Sequence, residues 1–386
     1  MAYTVRSAVS EMENQRIGEV SRLAIGAPDI IPLWFGEPDL DTPRFVRDAA
    51  VAAIDAGHTR YVNKRGVPEL REAIRGYTLA QWGVELPLER LTVTGSGMTA
   101  IMIAVETLVG EGDNVVMISP VWPNIFYAVR TMGGESRHVR LTLKDGTWRL
   151  DLEALFAACD ARTRAIFISS PSNPTGWMLS AEERRAILEF ARARGVWIIS
   201  DEVYHRIVYD RPVAETFLQI AEPEDPLFVV HSFSKSWAMT GWRLGWLVHP
   251  AWLGDKMGDL SGFNNTGATS FVQHAGVAAI RQGEDFVRTL VHRCRRGRDL
   301  VYQRLASMPR VATSRPDGAF YSFLHVEGVK DDLAFAKELV LKRRVGLAPG
   351  SAFGPGNEGW LRLCFASSED KLSMALDRLE AAIAQT

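Results

Sequence analysis

Through the middle of the chain, short runs of apolar residues alternate with stretches whose apolar positions recur every three or four residues. Leu91–Thr94, Asn114–Ser119, Arg164–Ser169, Val196–Ser200, Leu227–His231 and Leu244–His249 are mostly apolar at consecutive positions. That is the pattern of short strands buried on both faces. Helix signals lie between several of them. Thr42-Pro43 reads as a cap residue followed by proline at the first helical position. Ser180-Ala181-Glu182-Glu183 reads as a capping box, in which Glu183 reaches back to the Ser180 amide, and its helix should end near Gly195. Alternation of this kind predicts an α/β fold with a mostly parallel sheet covered by helices on both faces.

The last third has a different pattern. Glu284–Ser307 is a long Arg-rich helical stretch with apolar Phe286, Leu290, Val291, Leu300 and Leu305. Strands at Ala319–His325 and Leu361–Ala366, a helix at Asp331–Arg343 and a final helix from about Ser368 then predict a second, smaller α+β domain. The boundary is placed near Gly283.

Composition narrows the function classes. The chain has 386 residues, 44 Lys+Arg and 46 Asp+Glu, for a formal net charge of −2. At about 150 residues per domain, that length suggests two or three domains with ample core. The charge balance offers no basic footprint for nucleic acid and no polybasic surface for anionic lipid. No window approaches the roughly 18 apolar residues of a membrane helix. The N-terminal stretch is polar and lacks an apolar signal core, so a cytoplasmic location is expected. Cys159, Cys294 and Cys364 are odd in number and far apart, which points to three reduced thiols. The histidines show no ligand spacing, so no metal site is expected. Eleven tryptophans stand out against three cysteines.

Candidate chemistry collects just after the strand segments. Ser232-Phe-Ser234-Lys235-Ser236-Trp-Ala-Met-Thr240-Gly241-Trp242-Arg243 places hydroxyls, one lysine and one arginine after Leu227–His231. A lysine flanked by Phe and Trp is poorly solvated, and a desolvated lysine is a Schiff-base nucleophile. Ser232, Ser234 and Arg243 suit a phosphate. Thr94-Gly95-Ser96-Gly97-Met98 opens a helix, whose first amides attract phosphate, although a plain strand–helix turn reads equally well. Ser170-Pro171-Ser172-Asn173-Pro174-Thr175-Gly176 either aims the Asn173 amide or makes a surface turn. Asp201, in Ser200-Asp201-Glu202-Val203-Tyr204, sits where ligands bind in doubly wound sheets, or else caps a helix. Arg362, inside the apolar Trp360–Phe365, either meets an anion or faces outward.

Joint presence and order make these motifs resemble the class I (class I/II) aminotransferases, enzymes that depend on pyridoxal 5'-phosphate (PLP). The resemblance runs from Leu33 to the C-terminal helix. It implies the type I PLP-dependent transferase fold, as in aspartate aminotransferase: a mostly parallel seven-stranded sheet flanked by helices, plus a small α+β domain formed by both chain ends. The small domain would comprise residues 1–44 and 284–386, and the large PLP-binding domain residues 45–283. Lys235 is similar to the family lysine that holds PLP and shuttles the proton. Asp201 resembles the carboxylate paired with the pyridinium nitrogen. Asn173 and Tyr204 resemble the groups on the ring 3′-oxygen, and Trp122, in SPVWPN, the aromatic stacked on the ring. Ser96, Gly97, Met98, Ser232, Ser234 and Arg243 would hold the phosphate. Met98 departs from the polar residue often found there, so its backbone amide is the expected contact. Tyr61, in RYVNKRG, would reach the phosphate across a homodimer interface. Gly36, Asn173 and Arg362 would bind substrate, with Gly36 and Arg362 on its α-carboxylate.

The implied activity is an aminotransferase that moves an amino group between an L-amino acid and a 2-oxo acid by a PLP/PMP ping-pong route. The alternative on the same scaffold is a β C–S lyase or related elimination enzyme. A non-catalytic regulator is disfavoured, because only about 32 residues precede the family region, too few for a helix-turn-helix domain. Trp34, Phe35, Trp177, Tyr321 and Phe353 are either pocket or core. If pocket, they would favour an aromatic or medium apolar side chain over a dicarboxylate.

Overall fold

The computed structural model describes residues 4–385. Seven strands form one sheet: β1 (Leu91–Thr94), β2 (Asn114–Ser119), β3 (Glu135–Arg140), β4 (Thr163–Ser169), β5 (Trp197–Asp201), β6 (Leu227–Ser232) and β7 (Gly245–Val248). Their order is β1–β7–β6–β5–β4–β2–β3. Only β7 runs against its two neighbours, and every other pairing is parallel. Every residue of β1, β2, β6 and β7 is buried, as expected of a parallel sheet covered on both faces. That burial is why their apolar runs were legible.

β3 was not read from the pattern. Its sequence, ESRHVR, buries only Val139. It is the edge strand beside β2, so one margin and much of each face meet solvent, and polar residues cost little there.

The helix signals hold at Ser180 and Gly195. The helix Ala181–Arg194 has both halves of the capping box and ends on Gly195 in the left-handed conformation. Thr42 is a correction. Pro43 occupies the cap of the helix Arg44–Asp55, and no side chain caps it. The Thr42 hydroxyl instead donates to the Ala238 carbonyl at 2.5 Å and accepts the Trp242 indole N–H at 2.9 Å. A tertiary need for that hydroxyl overrides the local one. The stretch read as one helix at Asp331–Arg343 is α-helical over Asp332–Glu338 and winds wider over Leu339–Arg343.

A second sheet of four antiparallel strands follows: β8 (Val311–Thr313), β9 (Tyr321–Val326), β10 (Ala348–Pro349) and β11 (Trp360–Cys364), in the order β8–β9–β11–β10. The long helix Glu284–Ala306 packs on the final helix Glu369–Ile383 and on β8 and β9. The N-terminal stretch joins this part. Ile31–Pro32 pairs in parallel with Val345–Gly346, and the Cys364 amide donates to the Leu33 carbonyl at 3.0 Å. This pairing carries Gly36 toward the carboxyl edge of the large sheet. Among the described residues, no helix is long and apolar enough to cross a membrane, and no group of three or more His, Cys, Asp or Glu could hold a metal. The three cysteines are free and buried.

Candidate active site

A cavity of about 830 Å³ opens where the carboxyl ends of the central strands meet the second sheet and the N-terminal stretch. Its size falls within the range of small-molecule sites. Gly36, Gly97, Met98, Trp122, Asn173, Asp201, Tyr204, Ser232, Ser234, Lys235, Arg243 and Arg362 all line it. The segments that follow β1, β2, β4, β5 and β6 supply most of this set. A parallel sheet aims those loops to one side, so residues far apart in sequence converge.

Lys235 lies in the short helix Phe233–Ser236, directly after β6. Its ammonium donates to the Gly36 carbonyl at 2.6 Å and sits 5.8 Å from the centre of the Tyr204 ring. Desolvation draws its pKa down to about 8, with Arg362 acting in the same direction and the Cys364 thiol, Glu37 and Asp201 opposing. Asp201 ends β5 and is buried. Its carboxylate accepts the Val203 amide at 3.3 Å, and desolvation lifts its pKa to about 7. No helix starts there, so the helix-cap reading does not hold.

Arg362 is held from several sides. It is buried in β11, where Phe323 and Ala348 are its strand neighbours. Its guanidinium donates to Asn173 Oδ1 at 2.8 Å and to the Trp34 carbonyl, and it packs on the rings of Tyr321 (4.5 Å) and Phe353 (4.8 Å). A guanidinium only donates, so Asn173 turns its oxygen to Arg362, which leaves the NH₂ for another acceptor. Tyr204 is fixed by a 2.6 Å hydrogen bond to the Tyr321 hydroxyl. That hydroxyl lies so near Gly36 that a Cβ there would collide with it, so no larger residue fits at position 36.

A cluster suited to a phosphate stands beside Lys235. Gly97 and Met98 open the helix Gly97–Leu108, so their amides have no acceptor within that helix. A Cβ on Gly97 would lie 3.2 Å from Ser232 Cβ, so the close approach of turn and strand depends on the glycine. Ser232 Oγ accepts the Ser234 amide at 3.1 Å and donates to Ser234 Oγ at 2.9 Å. Arg243 stands in the left-handed conformation, exposed on the cavity wall, its guanidinium tied to the Thr240 carbonyl at 2.7 Å. These residues fit the phosphate of PLP. The Asp201 carboxyl, raised toward neutral pH by its burial, suits the ring nitrogen of the same cofactor.

Two expected residues do not line the cavity. Ser96 spends its hydroxyl as the helix cap, accepting from the Thr99 amide at 2.9 Å, so it sets the turn that presents Gly97 and Met98. Tyr61 is 90% exposed and lies away from its own chain's cavity. Of the five large residues weighed as pocket or core, Phe35 and Tyr321 line the cavity, while Trp34, Trp177 and Phe353 are buried outside its lining. Trp237 and Trp246 are core residues packed on Tyr77 and Phe233, away from the cavity. Ile17, Phe126, Tyr127, His138 and Glu358 also line it and were not singled out from the sequence. They stand on an edge strand, helices and loops whose local patterns carry no chemical signature.

Comparison with known proteins shows the family and the fold. The profile of the family described as aminotransferase class I and II matches residues 28–379. An aspartate aminotransferase of Pyrococcus horikoshii is 34% identical, covering 99% of this chain and 97% of that protein. The aromatic-amino-acid aminotransferase 2 of Thermococcus litoralis is also 34% identical, covering 96% of each chain. Among solved structures, aspartate aminotransferase from Thermus thermophilus with maleate superposes with a TM-score of 0.91 at 30% identity, over 99% of this chain and 100% of that one.

Proposed function

The chain belongs to the class I and II aminotransferase family, and from that premise we propose that it moves an amino group between an L-amino acid and a 2-oxo acid on PLP, by a two-stage ping-pong reaction. The observation that carries this reading is a lysine amine of lowered pKa, in one cavity with a buried carboxyl and a buried guanidinium. Bound PLP supplies an aldehyde that captures the amino group and an electron-poor ring that weakens the substrate Cα–H bond. Lys235 holds the cofactor at rest. When freed, its amine would take the proton from the substrate Cα and return it two bonds away, on the carbon at the far side of the nitrogen. Asp201 keeps a proton on the ring nitrogen. Asn173 and Tyr204 hold the ring oxygen, Trp122 covers one face of the ring, and Arg362 with Gly36 receives the α-carboxylate. Gly97, Met98, Ser232, Ser234 and Arg243 hold the phosphate.

The same reading divides the chain into residues 1–44 and 284–386 as a small domain and 45–283 as the large one. The pairing of Ile31–Pro32 with Val345–Gly346 supports the join of the two ends. It also takes the protein as a homodimer in the cytoplasm, with Tyr61 donated to the partner's phosphate site. The 90% exposure of a tyrosine side chain is what supports that role.

The test is a half-reaction. Amino acid added alone should bleach the visible band of the holoenzyme, release a 2-oxo acid and leave pyridoxamine phosphate. Borohydride should fix the cofactor on the peptide that contains Lys235. A Lys235→Ala protein with full transaminase activity would overturn the mechanism. Pyruvate and ammonia released from a cysteine conjugate without an acceptor would show a lyase instead.

A further inference from the structure

The cavity extends beyond the residues that serve the cofactor and the α-carboxylate. Its remaining wall includes the apolar or aromatic Ile17, Phe35, Phe126, Tyr127 and Ala352, with His138 among them, beside the polar Asn14, Gln15, Asn124 and Ser351. Contacts connect His138 to the carboxylate clamp. Arg362 packs on Phe353, and the next residue, Gly354, lies against His138, since a Cβ there would stand 3.1 Å from Nδ1. Phe126 meets the His138 ring edge-on at 4.8 Å. This chamber is therefore next to the α-carboxylate site, where a substrate side chain would extend.

Its charges do not suit a second carboxylate. Among the described residues, Arg16 is the only cationic side chain lining the cavity beyond Lys235, Arg243 and Arg362. Glu13 stands 3.7 Å from that guanidinium, and Asp332 also feels its charge. Glu358 adds another acid to the wall. Taken together, Glu13 and Glu358 outweigh Arg16. A dicarboxylate would place its distal anion in a chamber without a free cation.

His138 adds an uncharged ring donor to this wall. Its Nδ1 is enclosed without a hydrogen-bond partner, and the residue lines the cavity. Burial holds the imidazole down at about 4, so it is neutral near pH 7. An N–H is costly where no acceptor reaches it, so the proton belongs on Nε2.

We propose that this site takes amino acids with uncharged aromatic side chains, and that His138 donates a hydrogen bond to an oxygen at the tip of the ring, so that a phenol is preferred to a bare phenyl group. The proposal rests on the aminotransferase reading and names its substrate class.

The test uses the holoenzyme in half-reactions with tyrosine, phenylalanine and aspartate. In parallel, calorimetry measures the binding of unreactive 3-(4-hydroxyphenyl)propionate, 3-phenylpropionate and succinate. Tyrosine and phenylalanine should react at least about tenfold faster than aspartate, and both aryl acids should bind more tightly than succinate. His138→Phe should weaken the phenol acid and slow tyrosine by about three- to tenfold more than it affects the phenyl acid and phenylalanine, the value of one hydrogen bond. His138→Gln, which keeps a donor, should restore part of that difference. Aspartate as the fastest donor, succinate as the tightest ligand, or an equal loss for both aryl acids in His138→Phe would overturn the proposal. Bleaching by none of the amino acids would instead sink the aminotransferase reading, and the binding of the three acids would still decide the chamber's preference.

Discussion

Arg362 shows how a single residue is committed by its surroundings. A guanidinium buried in β11, tied to Asn173 and to the Trp34 carbonyl, has no freedom to serve elsewhere. Arg362→Ala should raise KM for amino acids by roughly ten- to a hundredfold, the worth of charged hydrogen bonds, and an unchanged KM in steady-state kinetics would refute the assignment. Arg362→Lys should recover little, because an ammonium cannot reproduce the fork. Asp201 makes a different prediction. With its pKa lifted to about 7, the folded chain keeps a proton between about pH 4 and pH 7 that the unfolded chain has lost. Stability from this group is therefore full below its unfolded pKa and is lost as pH rises through 7. Glu202, also lifted to about 7, acts in the same direction, and the buried His231, held down at about 3, acts in the opposite one. Comparison with Asp201→Asn isolates the single group. In urea titrations of both proteins stripped of cofactor, the wild type's margin over the variant should shrink from pH 4 to pH 7, and a constant margin would contradict the raised pKa.

Elements were legible to very different degrees. The helix Ala181–Arg194 carries its start and stop in its own sequence, because Ser180, Glu183 and Gly195 satisfy backbone groups locally. Ser180→Ala should cost about 1 kcal/mol in denaturant unfolding and leave the half-reaction rate unchanged. A loss of activity in folded protein would mean that this helix serves the site directly. The buried strands were equally legible, since apolar runs of that length have few other places to go. β3 was not, because an edge strand owes its existence to β2 and not to its own residues. Thr42 failed for a related reason: its hydroxyl is claimed by Ala238 and Trp242, nearly 200 residues away.

At the scale of the whole molecule, Tyr61 sets the question of assembly. A tyrosine that is 90% exposed and outside the lining of its own chain's cavity completes a site only if another copy receives it. Tyr61→Ala and Lys235→Ala proteins, each impaired, should then complement one another when refolded together. A mixed dimer has one site with both groups, so random pairing should yield about a quarter of the wild-type activity. Activity no greater than the sum of the two separate variants would place Tyr61 outside the partner's site. By itself, the sequence determined the buried strands, the capped helix and most of the candidate residues that gather in the cavity. These depend on local periodicity, on backbone groups met within a few positions, and on motifs whose order is preserved. Only the tertiary structure decided that Asn173 turns its oxygen to Arg362, that Trp34 and Trp177 are core, and that His138 faces the cavity from an edge strand. Each of those depends on contacts between residues distant in the chain, and no local pattern records them.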